Sequence, residues 1–261
     1  MSASLREVFE RRDLLYLLAW REIRIKYKQS VMGMLWAVLM PAVIVSAGVV
    51  VRYGVAVVSG VPLQPGDVAA VSVRAVPWAF FVSGVRFSTS SLIGNANLLT
   101  KIYLPREIFP MASILSQLVD FAVASLVLVV ALVVLGVGVS AQLLWVPVLV
   151  LMLVALTTGL GIALSAASLF FRDVKYLVEV ALTFAIFFTP VFYEARTFGR
   201  WEKILLLNPV APILEGLSAV VVAHASPPLP WLAYSALFAA LTLLASVLMF
   251  RRLEPYFAES V

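Results

Sequence analysis

The chain has 261 residues, of which 63% are hydrophobic and only 13% charged, and its mean hydropathy is +1.05. A soluble fold of this length could not cover so much apolar surface, so the solvent is lipid. The net charge is +5; the absence of Cys excludes disulfides and thiolate metal sites, and a single His224 excludes an imidazole site within one chain.

Hydropathy places six spans near residues 32–57, 77–98, 111–136, 143–169, 177–193 and 230–250. The predicted fold class is an all-α integral membrane protein, with one transmembrane domain over residues 1–261. Thirteen Lys/Arg then fall on one side and five on the other, with Arg86 inside a span. This positive-inside bias predicts both termini in the cytoplasm and accounts for the net charge without nucleic acid. The opening residues carry charge where a cleavable signal carries an apolar core, so the expectation is a retained N-terminus. No G-x-x-x-x-G-K-[ST] loop occurs, so any ATP is expected on another chain.

Residues 1–30 are too charged to cross, yet Tyr16, Trp20, Ile23 and Tyr27 recur at helical spacing. Arg21, Arg24 and Lys28 occupy an adjacent face. Such a helix can lie in the headgroup layer, rings toward acyl chains and cations toward the phosphates of membrane lipids. The plainer alternative is an ordinary basic flank that happens to be helical.

The second span carries Arg86 with Ser83, Ser90, Gly94 and Asn97, a small and polar stripe that faces protein or a water-filled path. Arg86, Ser90 and Asn97 are therefore channel-lining candidates. An Arg near mid-membrane needs a partner, and Asp120 on the third span sits at similar depth, both lying about 13 Å from opposite faces of the core. Such a pair would hold two helices together or take part in substrate passage.

Between those spans, residues 99–110 form a cytoplasmic segment interrupted by Pro105 and Pro110. Its apolar residues beside charges read either as a docking surface for a cytoplasmic partner or as a plain loop. On the fifth span Phe184, Phe188 and Phe192 recur every four residues, as a sliding surface for sugar rings or as packing. Residues 194–229 hold two short apolar helical stretches split by Asn208-Pro209, the mark of a hairpin dipping back from the outer face. Its cations Arg196, Arg200 and Lys203 can meet phosphate or match outer headgroups.

Four segments together resemble the permease subunits of type-2 ABC exporters, in particular the polysaccharide group that handles O-antigen, teichoic acid and capsule. They are REIRIKYKQSVMGMLWAVLMP, GNANLLTKIYLPREIFPMASILSQLVDF, LFFRDVKYLVEVALTFAIFFTPVFY and LNPVAPILEGLSAVV, in the family's order and over nearly the whole chain. The resemblance implies a bacterial inner-membrane homodimer working with two P-loop ATPase subunits that bind ATP and Mg, with no cofactor and no catalysis in this chain. By the matching motif, Thr100, Lys101, Ile102, Tyr103, Leu104, Pro105, Arg106, Glu107, Ile108 and Phe109 would form the coupling helix. Leu14 to Lys28 would be the interface helix, and residues 197–223, with Asn208 and Pro209, the gate helices. The first and fifth spans would border the path of a lipid-linked polysaccharide. The family's gate often carries Arg shortly after its Asn-Pro, whereas this chain has Glu215.

Three other functions fit parts of the sequence. They are a type-2 exporter of drugs or other lipids, an ion-coupled transporter using Asp120 or Glu179 as a proton site, and a structural or sensory anchor. The ion-coupled reading lacks inverted-repeat symmetry and paired broken spans. The anchor leaves the polar second span and outer hairpin without a purpose.

Overall fold

A computed structural model describes residues 12–28, 32–60, 62–101 and 105–258, and the described residues form helices and turns. Helix α1 is Arg12–Lys28, α2 Trp36–Ser59, α3 Pro65–Gly94, α4 Ala96–Lys101 and α5 Ile108–Val134. Then follow α6 Val146–Phe170, α7 Val174–Ala185, α8 Glu202–Leu206, α9 Ala211–Val221 and α10 Leu229–Leu253. Four of the six expected spans thus appear as helices whose ends lie within a few residues of the hydropathy limits. Gly60 stops α2 in the left-handed region, φ 70°, where the missing Cβ removes the steric penalty.

Helix α3 departs from expectation by starting at Pro65 rather than near 77. Hydropathy discounts Arg74 and Pro77, yet both sit inside this 30-residue helix. Pro65 takes the first helical position, where its missing N–H costs nothing, and the Gln64 backbone N–H donates to the Asp67 carboxylate at 3.0 Å. At ~1.5 Å per residue α3 is ~45 Å long, enough for the full bilayer with its headgroup layers. It is also the central helix, buried continuously from Ala69 to Trp78.

The fifth expected span departs further. Among the described residues five helical stretches are long and apolar enough to cross a membrane, and α7 is not one of them, having only 12 residues. Pro190 forbids the helix to continue through its own position and disfavours it at Thr189. Residues 186–194 run on as turns. Non-helical backbone is tolerated in a membrane protein where protein covers it, and here Thr189 and Val191 are completely buried.

Outside the long helices, the chain breaks at Asn208-Pro209, between α8 and α9, as the sequence predicts. Helix α9 lays Ile213, Leu214 and Leu217 into the main apolar core with Trp78, Phe80 and Leu153. A second core near the other end joins Ile108 and Phe109 to Leu92, Leu169, Phe250 and Phe257. Between the cores α6 and α10 approach closely. A Cβ on Gly159 would lie 2.8 Å from the Leu243 backbone nitrogen, so only glycine permits this crossing.

Candidate transport site

A polar seam joins α1 to α5. The Ser113 hydroxyl donates to Glu22 at 2.9 Å, Lys26 donates to Gln117 at 3.2 Å, and Asp120 accepts from both Lys26 and the Tyr27 hydroxyl. As α1 advances from Glu22 to Tyr27 its partners advance from Ser113 to Asp120, so α1 climbs alongside α5. Arg21 also turns inward, to the Asn95 side-chain oxygen. Burial pushes the Glu22 carboxyl above its ordinary range, against the lowering effect of the Ser113 hydrogen bond. Burial and then the Asp120 carboxylate likewise raise the Tyr27 phenol.

These contacts correct the expected division of α1 into a ring face and a cation face. Tyr16 and Trp20 are exposed and stacked, with Arg24 5.8 Å from the Trp20 ring, and Lys28 is exposed. Tyr27 and Arg21, however, point into protein. Periodicity identifies the faces of a helix without saying which face a neighbour covers, and the neighbour here offers buried oxygens that need donors.

Arg86 and Asp120 do not pair. Arg86 Nε lies 2.8 Å from a Glu179 carboxylate oxygen of α7, a charge contact without hydrogen-bond geometry, while Lys26 takes Asp120. Both residues nevertheless line one cavity of about 480 Å³, together with Lys26, Trp36, Trp78 and Gln117. The depth argument brought them to the same space. Partner choice followed azimuth, because α1 and α7 supply closer opposite charges than α3 and α5 supply to each other.

The other channel candidates spread out. Ser90 and Asn97 are exposed and lie away from the cavity lining. Phe184 and Phe188 are exposed, whereas Phe192 packs against Gly48 of α2, where a Cβ would lie 2.7 Å from its ring. Their single stripe required a helix through residue 192, and α7 ends at Ala185. In the hairpin expected at the outer face, Arg196 pairs with Glu194, Arg200 lies 5.3 Å from the Trp201 ring, and Lys203 is exposed. These cations do not converge on one point. Asn208 has a structural task, accepting from the Val210 backbone at 3.1 Å and donating to the Thr189 hydroxyl at 2.9 Å, while Pro209 is half-buried.

In the expected coupling segment, Ile102, Tyr103 and Leu104 lie outside the described residues, and Thr100 and Lys101 close α4. Beyond them the expectation of an exposed apolar surface is corrected. Glu107, Ile108 and Phe109 are buried: the second core takes Ile108 and Phe109, and the Glu107 carboxylate lies 3.8 Å from Arg251 Nε. Arg106 is half-buried and donates to the Glu254 carbonyl at 2.8 Å while lying 5.6 Å from the Phe257 ring. Sequence reasoning missed Lys26, Arg74 and Phe257, and noted Glu215 only as the lack of a cation. Lys26 carried one signal, a charge four residues after Glu22 on a helix already recognised as two-faced.

The arrangement is that of a multi-pass helical membrane protein whose charged groups border a space between helices. Residues 13–222 match the ABC-2 type transporter family, and the chain belongs to it. It is similar to the O-antigen export system permease protein RfbA of Myxococcus xanthus, 28% identical over 260 residues and 98% of each chain. It is also similar to a Klebsiella pneumoniae protein of the same name, 27% identical over 204 residues and 77% of each chain.

Proposed function

We propose that this chain is the permease subunit of an ABC exporter that moves a lipid-linked polysaccharide of O-antigen, teichoic acid or capsule type across the bacterial cytoplasmic membrane. The end-to-end likeness to an O-antigen export permease carries this reading. Two copies form the path, and both termini lie in the cytoplasm. ATP and Mg are bound by two P-loop ATPase subunits, so this chain does no covalent chemistry.

Several features support the assignment. The mixed cavity offers rings from Trp36 and Trp78 beside Lys26 and Arg86, a combination suited to an amphiphile with an anionic head. Exposed Phe184 and Phe188 leave an aromatic face on α7 and the turn after it, free to line a path against a second copy. The buried anchor at Ile108 and Phe109 would let movement delivered near residues 100–107 reach α5 without loss. Through the α1–α5 seam the same movement would reach the cavity wall.

Deletion of the chain in its host tests the proposal. Surface polysaccharide is expected to disappear while lipid-linked glycan accumulates inside, and the intact chain supplied in trans restores export. Normal surface polysaccharide in the deletion strain overturns the reading.

A further inference from the structure

The turn segment after α7 is tied down from three directions. Asn208 holds the Thr189 hydroxyl, Arg74 Nη1 donates to the Tyr193 carbonyl at 2.6 Å, and a Glu215 carboxylate oxygen accepts from the Ala195 backbone N–H at 2.5 Å. Two of these attachments come from the outer hairpin itself. Arg74 alone comes from the central helix α3, so it is the tie across which the hairpin would have to move.

Arg74 is an expensive residue in this place. It is fully buried, its Nε is spent on the Ala70 carbonyl at 3.1 Å, and its Nη2 has no partner among the described residues. Among the described residues no carboxylate lies within ion-pair distance of it, although Glu194 and Glu215 share with it the lining of a pocket of about 370 Å³. A buried guanidinium held by carbonyls alone, with a donor to spare and two carboxylates nearby, has a second set of partners within a short movement. Such a group suits a two-state element better than a permanent brace.

We propose that Arg74 and Glu215 form the latch of the outer gate: with the hairpin closed they grip the backbone at Tyr193 and Ala195, and on opening Arg74 exchanges the Tyr193 carbonyl for a carboxylate in the pocket. The inference rests on the outer hairpin being a gate. It does not depend on the nature of the cargo.

The absence of Cys permits a direct test on the full chain in nanodiscs. Val191→Cys places one thiol in the clamped segment, at a fully buried position, and Ser168→Cys places a control thiol at a fully buried site on α6. A polar maleimide labels each. Adding Arg74→Gln is expected to speed labelling at position 191 about tenfold, the scale of one lost charge-assisted hydrogen bond, with position 168 unchanged. Arg74→Lys and Glu215→Gln should give smaller increases, and they decide the matter by the same readout if Arg74→Gln cannot be recovered folded. An unchanged rate at position 191 overturns the latch. A parallel rise at positions 191 and 168 also overturns it, because Arg74 would then only hold the fold. The labelling needs no glycan, so a failure of the export assay sinks the proposed cargo and leaves this result standing.

Discussion

Two of the proline-bearing junctions in this bundle differ in the balance of contacts that hold them. At residues 105–110 the chain is secured by buried apolar side chains, with Ile108 and Phe109 set among Leu92, Phe250 and Phe257. At residues 186–195 Val191 also enters the main core, but the segment is held in addition by hydrogen bonds aimed at single groups, from Asn208, Arg74 and Glu215. Apolar packing is non-directional and spread over many contacts, so a junction made that way moves as a unit with its surroundings. A hydrogen bond is lost over a small displacement and can be exchanged for another. Under the proposed function the first junction would transmit motion and the second would release.

The contrast can be broken most violently at Phe109. Phe109→Ala is expected to cost about 3–5 kcal/mol, the range for emptying a fully packed aromatic site, and to abolish recovery of folded protein, whereas Phe109→Leu retains most of it. Thermal melting of the purified variants measures both. A mild loss with alanine would mean that the junction at residues 105–110 is not anchored by its core.

The seam between α1 and α5 mixes the two styles. Asp120→Asn removes the negative charge and one of the two carboxylate oxygens that accept from Lys26 and Tyr27, at an expected cost on the order of 2 kcal/mol, and adding Lys26→Met should recover part of that loss. Strict additivity in a melting series would show that the two side chains are not coupled.

A smaller effect is expected at the junction of residues 186–195. Asn208→Ala removes one neutral hydrogen bond to Thr189 and a turn contact to Val210, for about 1 kcal/mol. A cost matching that of Phe109→Ala would erase the distinction between the junctions.

The smallest prediction concerns acid. Because the folded-state pKa of Glu22 is raised by burial, the folded protein binds its proton more tightly than the unfolded chain does. That contribution to stability is fully present below the ordinary value of 4.5 and is lost as pH rises through the elevated folded value. Glu22→Gln should flatten this part of the melting-temperature profile. An unaltered profile would assign the acid response elsewhere.

The site was legible in the sequence to unequal degrees. Asn208-Pro209 was readable as a break because proline acts through its own local geometry, and the structure breaks there. The Phe184, Phe188 and Phe192 stripe was not, since it assumed that α7 continued through Pro190. Hydropathy leaves Arg74 outside the second expected span, because it counts the charge and not the carbonyls of Ala70 and Tyr193 that accept from it. Phe257 looked like an unremarkable residue after the last span, yet it is fully buried beside Phe170 and Phe250.

By itself the sequence determined that the chain is helical and lipid-embedded, where most helices begin and end, and which residues share a helix face. Those properties follow from transfer free energies and backbone hydrogen bonding, which add up along a local stretch of chain. Only the tertiary structure decided that Arg86 meets Glu179, that Lys26 takes Asp120, and that Ile108 faces a core instead of a partner. Pairing depends on which helices are neighbours and how each is turned about its axis, and one-dimensional spacing carries the depth of a charge without its direction.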